Sequence, residues 1–152
     1  MPEGLLAAIE NAAPAAFLRA SFIAYPLVSA GHVLFIGMLL TAAGLIDLKL
    51  LFPRWSVGAR LDDAALRPIA LLGACGAVVT GLALFSVKAS DYGELGVFRL
   101  KMTLVALAGA NFVLFVSFRG RPDAARRGKF HAAASLSLWL GVLVCGRFTG
   151  FF

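Results

Sequence analysis

Four long apolar runs separated by short polar stretches make up most of this chain, at residues 26–50, 68–87, 98–118 and 131–151. Each is near the roughly 20 residues that an α-helix needs to cross a hydrocarbon core about 30 Å thick. The runs are rich in Leu and Ala with scattered Gly and lack a two-residue alternation, so the pattern predicts helices and argues against a transmembrane barrel. Lipid offers no partner to an unpaired backbone amide, which leaves the helix as the conformation for each run. The connections, residues 51–67, 88–97 and 119–130, are short enough that sequential helices should pack as antiparallel neighbours. The expected fold is all-α: one integral membrane domain built as an up-and-down four-helix bundle. Pro26 is tolerable in a first helical turn, and Pro53 marks the end of the first span. Ahead of it, residues 4–20 form a weakly amphipathic segment anchored by Leu5, Leu6, Ile9, Phe17 and Leu18 and interrupted by Pro14. That segment is expected along the membrane surface.

Composition strengthens this picture. The 152 residues are 61% hydrophobic and 14% charged, with a mean hydropathy of +0.89, outside the balance of a soluble domain. A net charge of +6 would suggest nucleic acid in a soluble protein, but here the cations cluster in the connections, where they set orientation and meet anionic headgroups, and no nucleic-acid partner is expected. Lys49, Arg54, Arg60, Arg67, Arg119, Arg121, Arg126, Arg127 and Lys129 put nine on one side. Arg19, Lys88, Arg99, Lys101 and Arg147 put five on the other. The positive-inside rule then places the first and third connections in the cytoplasm and both termini outside a multi-pass inner-membrane protein. Glu3 and Glu10 near the start, without the basic head of a cleaved signal peptide, predict that the first span persists. Cys75 and Cys145 fall in different spans at different depths and read as small core residues rather than a disulfide.

Ala70, Gly73, Gly76, Ala77 and Thr80 recur at three- and four-residue spacing in the second span. Such a stripe predicts close helix packing, a main source of association where apolar side chains gain little by meeting each other.

Ionisable groups inside a span cost about 2.5–3.5 kcal/mol on insertion scales, so each needs a reason. His32 lies six residues into the first span, about 9 Å deep at 1.5 Å per residue, and shares a helical face with Tyr25 and Ser29. Lys101 near the start of the third span and Arg147 near the end of the fourth fall in the same outer half, because the helices alternate direction. These residues suit an anionic, planar ligand. Neutral imidazole is a common iron ligand, making His32 the candidate metal ligand, while Lys101 and Arg147 suit haem propionates. The bland alternative is that the two cations snorkel to the interface and His32 hydrogen-bonds a neighbouring helix. His131 is expected at the opposite face from His32, beside Lys129, which disfavours a two-histidine haem. Asn111 and Trp139 lie deeper, where each polar group would seek a helix-to-helix hydrogen bond. Asp47 and Lys49 are expected to be solvated or paired with loop arginines. No phosphate-binding glycine loop, paired-ligand metal motif or catalytic triad emerges, and Met38 and Met102 form no copper cluster.

The run Tyr25-Pro26-Leu27-Val28, then Gly31-His32-Val33-Leu34, then Ile46-Asp47-Leu48-Lys49-Leu50-Leu51 resembles the first helix of an uncharacterised bacterial family of small four-helix membrane proteins. In that family a Pro, a His and an Asp-Leu-Arg-Leu-Leu ending recur, with Lys49 here in place of the Arg. The stretches Thr80 to Phe85, Phe98 to Lys101, Asn111 and Trp139 to Arg147 are similar too. More distantly, His32 and Lys101 look like residues of the membrane protoporphyrinogen oxidase and copper-resistance protein D families. In the oxidase the corresponding residues are implicated in haem or porphyrin chemistry, so the resemblance implies haem b as the cofactor. Three functions follow as expectations: a haem b protein that passes electrons or acts on a porphyrin; a non-enzymatic accessory subunit, or homo-oligomer, packing through outward phenylalanines such as Phe112, Phe115 and Phe118; and, more weakly, an ion or copper permease.

Overall fold

The computed structural model describes residues 3–54, 60, 62–117 and 124–149. These form seven helices with no strand among them: α1 (Glu3–Glu10), α2 (Ala13–Ala20), α3 (Ala24–Leu51), α4 (Asp63–Val87), α5 (Ala89–Glu94), α6 (Gly96–Ser117) and α7 (Ala124–Thr149). Four of them, α3, α4, α6 and α7, are long and apolar enough to cross a membrane. The chain is an all-α integral membrane protein, as its hydropathy predicts. Phe118, Arg119, Arg121 and Phe151 lie outside the described residues.

Two helices begin earlier than their apolar runs. α4 starts at Asp63 because Asp62 caps it: the Asp62 carboxylate accepts the Ala64 N–H at 2.9 Å, and its carbonyl accepts those of Ala65 and Leu66. Pro68 therefore sits inside the helix rather than at its start. α7 starts at Ala124, because Arg126, Arg127 and Lys129 are good helix formers and extend the span as helix through residues expected in the connection. Pro14 does not interrupt a segment but opens one, since it occupies the first turn of α2, where its missing N–H is harmless. The break falls at Asn11 and Ala12 instead.

The chain divides into two compact units, Met1–Leu39 with Pro68–Leu95, and Leu40–Arg67 with Gly96–Phe152. In the first, α3 and α4 run antiparallel, with Gly73 facing Leu39, Gly76 facing Phe35 and Gly81 facing His32. The small-residue stripe is thus the seat of α3. A Cβ at Gly73 would stand 2.6 Å from the Leu39 amide nitrogen and 2.8 Å from the Phe35 carbonyl oxygen, so backbone touches backbone there.

Where α4 ends, the same unit carries a small cap. α5 occupies the second connection, which the apolar pattern leaves as loop, and α1 docks on it through Leu6 against Gly93 and through Glu10. The Ser90 N–H donates to Glu10 Oε2 at 3.2 Å, and Arg19 donates to the Glu10 carbonyl at 2.6 Å. The Ser90 backbone N–H first, then its hydroxyl, with Arg19 and Lys88 adding charge, holds the Glu10 carboxyl below its ordinary value of 4.5. A lowered folded-state pKa means that this attachment contributes fully above the unfolded value and is lost as pH falls through the folded one. Protection of the amides in residues 3–20, taken relative to the intrinsic exchange rate at each pH, is therefore expected to fall on acidification below about pH 4.5 in the parent protein. Glu10→Gln should flatten that dependence; an equally steep profile in the variant would assign it to another group.

In the second unit, α6 and α7 form the other antiparallel pair, with Lys101 against Gly146, Leu104 against Gly141 and Phe115 against Gly128. The C-terminal half of α3 lies on α7 there, through Gly44 against Leu136 and a hydrogen bond between Ser135 and the Asp47 carboxylate. Lys49 bridges to Asp63 at 2.7 Å, tying the end of α3 to the start of α4. Cys75 and Cys145 are free thiols, the first exposed and the second buried.

Candidate functional site

His32 lies in the first unit on α3, half-buried, with its Nδ1 2.9 Å from Thr80 Oγ1 on α4. The Thr80 hydroxyl has one proton and donates it to the Gly76 carbonyl at 2.6 Å, a back-bond to the preceding helical turn. Its oxygen then acts as acceptor toward the imidazole, so Nδ1 carries the ring proton and Nε2 carries the lone pair. This is the arrangement by which an outer partner fixes the tautomer of a ligating histidine. Gly81 provides the room: a Cβ at that position would come 3.0 Å from His32 Cε1. The sequence marks Thr80 only as a member of the packing stripe and Gly81 only as part of the stretch from Thr80 to Phe85, so neither is singled out there as a neighbour of His32.

Tyr25 and Ser29 lie on the same helix, in the same unit. Tyr25 is at the cap end, close enough to α5 to act on Tyr92, whose phenol is pushed up by burial first and then by Tyr25 and the Asp91 carboxylate. Tyr92 also stacks on Phe85, with centroids 6.4 Å apart.

Lys101 and Arg147 belong to the second unit. A Cβ on Gly146 would stand 3.5 Å from Lys101 Nζ, which brings that ammonium to the end of α7 where Arg147 occupies the last turn. A cation there also offsets the partial negative charge of the helix terminus. The two cations thus share one end of the α6–α7 pair.

His131 departs from its expected role as an interfacial neighbour of Lys129. Its Nδ1 donates to Asn111 Oδ1 at 2.7 Å, and Asn111 Nδ2 donates back to the His131 carbonyl at 3.0 Å, closing a two-point clamp between α6 and α7. The rings of Phe115 and Phe130 approach the imidazole edge-on, with centroids 6.1 and 6.0 Å away. Phe115 is consequently a contact inside the α6–α7 pair and not an outward anchor, while Phe112 is 55% exposed.

Asp47 also differs from the expectation that it is solvated or paired with a loop arginine. Ser135 of α7 hydrogen-bonds its carboxylate, and Oδ2 is shielded from solvent with no hydrogen-bond partner among the described residues. Lys49, expected to behave like Asp47, pairs with Asp63, which Arg67 also approaches at 3.7 Å.

Among the described residues no three His, Cys, Asp or Glu side chains converge into a metal site. Comparison of the chain with family models, with curated proteins and with solved structures found no match.

Proposed function

We propose that this integral membrane protein holds a b-type haem, or a related porphyrin, through His32, and serves electron transfer or porphyrin redox chemistry in a bacterial cytoplasmic membrane. The observation that carries the reading is the hydrogen-bonded series from His32 through Thr80 to the Gly76 carbonyl, which orients an imidazole inside a membrane-length helix as an outer partner orients a ligating histidine. A porphyrin supplies four ligands to its iron, so one protein imidazole is enough to attach it. Bound there, the iron would carry one electron at a time.

The test is an absorbance spectrum of the full chain purified in detergent after expression with ample haem. A Soret band is expected, lost in His32→Ala and retained in His131→Ala. Thr80→Val keeps the imidazole but removes its acceptor, and should weaken haem retention about 10–100-fold, as loss of an outer partner does elsewhere. A colourless parent protein, or a band indifferent to His32, would sink the proposal; a stoichiometric protein partner in its place would favour the accessory-subunit reading.

A further inference from the structure

The second unit contains a cavity of about 770 Å³ at the end of α3, lined by Leu48, Leu51, Phe52, Pro53, Arg54 and Lys129. Its chemistry divides cleanly. Leu48 and Leu51 are the last apolar turn of a membrane-length helix, and Phe52 follows with 60% of its surface exposed. Arg54 and Lys129 add two cations from different parts of the chain, one just past α3 and one on α7. The volume falls within the range of small-molecule sites, and the side chains of its described lining residues are hydrocarbon and two cations.

We infer that this cavity binds one anionic phospholipid, with the headgroup phosphate between Arg54 and Lys129 and an acyl chain along Leu48, Leu51 and Phe52. Position, shape and charge each support that occupant. The cavity lies where a membrane span ends, which is the depth of the headgroups. Basic pockets between membrane helices are known recognition sites for acidic lipid headgroups. An Arg guanidinium presents a planar fork to phosphate oxygens, and a Lys ammonium adds a flexible point charge. Of the carboxylates near this end of α3, Asp63 is engaged by Lys49 and Arg67, Asp62 accepts the Ala64 N–H, and Asp47 is hydrogen-bonded by Ser135 of α7. Neither Arg54 nor Lys129 meets a carboxylate among the described residues.

The inference is independent of the haem reading, since it uses none of the same residues. Native mass spectrometry of the full chain in detergent, titrated separately with phosphatidylglycerol, phosphatidylcholine and inorganic phosphate, tests it. Phosphatidylglycerol should be retained as a single bound lipid and phosphatidylcholine at least about tenfold less well, as expected when two cations near the surface act on one headgroup. Arg54→Gln with Lys129→Gln should remove that preference, Phe52→Ala should weaken both lipids together, and Lys88→Gln should change neither. A thermal melt without added lipid checks that each variant is folded, and a misfolded double variant is replaced by its two single variants. Equal retention of the two lipids, an unchanged preference in the folded variants, or displacement of the lipid by equimolar inorganic phosphate would each overturn the assignment.

Discussion

Gly73→Leu is expected to destroy the pairing of α3 with α4. The glycine Cα lies against the α3 backbone itself, and a Cβ there would meet the Leu39 nitrogen, the Phe35 oxygen and the Leu39 Cα at 2.6, 2.8 and 3.0 Å. A flexible side chain would yield to such an intrusion, but a hydrogen-bonded helix backbone does not, so the helices must separate. Overpacking typically costs about 1–3 kcal/mol, and a backbone contact should place this variant at or beyond the upper end. Gly73→Ala makes the sharper test because its two effects have opposite signs. Alanine favours a helix by about 0.8–1.0 kcal/mol over glycine, so a position without neighbours should be stabilised. Gly37 and Gly109 have nothing within 4 Å of a built Cβ and should show that gain, whereas Gly73→Ala should lose stability. Thermal unfolding in detergent reads all three. A stabilised Gly73→Ala would mean that α4 does not meet α3 along this face.

Asn111→Ala should be the most damaging single truncation in the α6–α7 pair. It removes both arms of the clamp, leaving the His131 Nδ1 proton and one lone pair of the His131 carbonyl without their partner on α6. Hydrogen bonds between membrane helices are worth about 0.6 kcal/mol on average and reach about 1.7, so losing two should cost about 1–3 kcal/mol. His131→Phe should cost less, because the bond from Asn111 to the backbone carbonyl at position 131 survives the loss of the ring. In a double-mutant cycle the two substitutions should fall short of additivity by at least about 0.5 kcal/mol. Strict additivity would show that the side chains do not act on each other. The same cycle bears on the haem reading, since a structural His131 should tolerate replacement with no change in cofactor retention.

Several residues could be singled out from the sequence without their partners being identifiable. Asn111, His131, Asp47 and His32 all stand out as polar groups in apolar runs, and each does make a polar contact across helices. Their partners depend on register, which hydropathy does not carry. His131 looked interfacial because the apolar run begins at it; the helix begins seven residues earlier, at Ala124, and that extension gives α7 a further contact with α6 through Gly128 and Phe115. α5 was illegible for another reason. A six-residue helix is too short to show periodicity, and it is held by Leu6 and Glu10 from the far end of the chain.

The amino-acid sequence alone determined that the chain is helical, that it has four membrane-length helices, and that a stripe of small residues lets one of them approach a neighbour closely. These are consequences of composition and length, because a backbone in hydrocarbon must satisfy its own hydrogen bonds and needs about 20 apolar residues to cross. Only the tertiary structure decided that Thr80 orients His32, that Asn111 clamps His131, and that Arg54 and Lys129 share a cavity. The physical reason is that lipid and protein interior are both apolar, so a membrane helix carries little record of which face is buried. Side-chain packing between helices sets that face and its register, and packing belongs to no single segment of the chain.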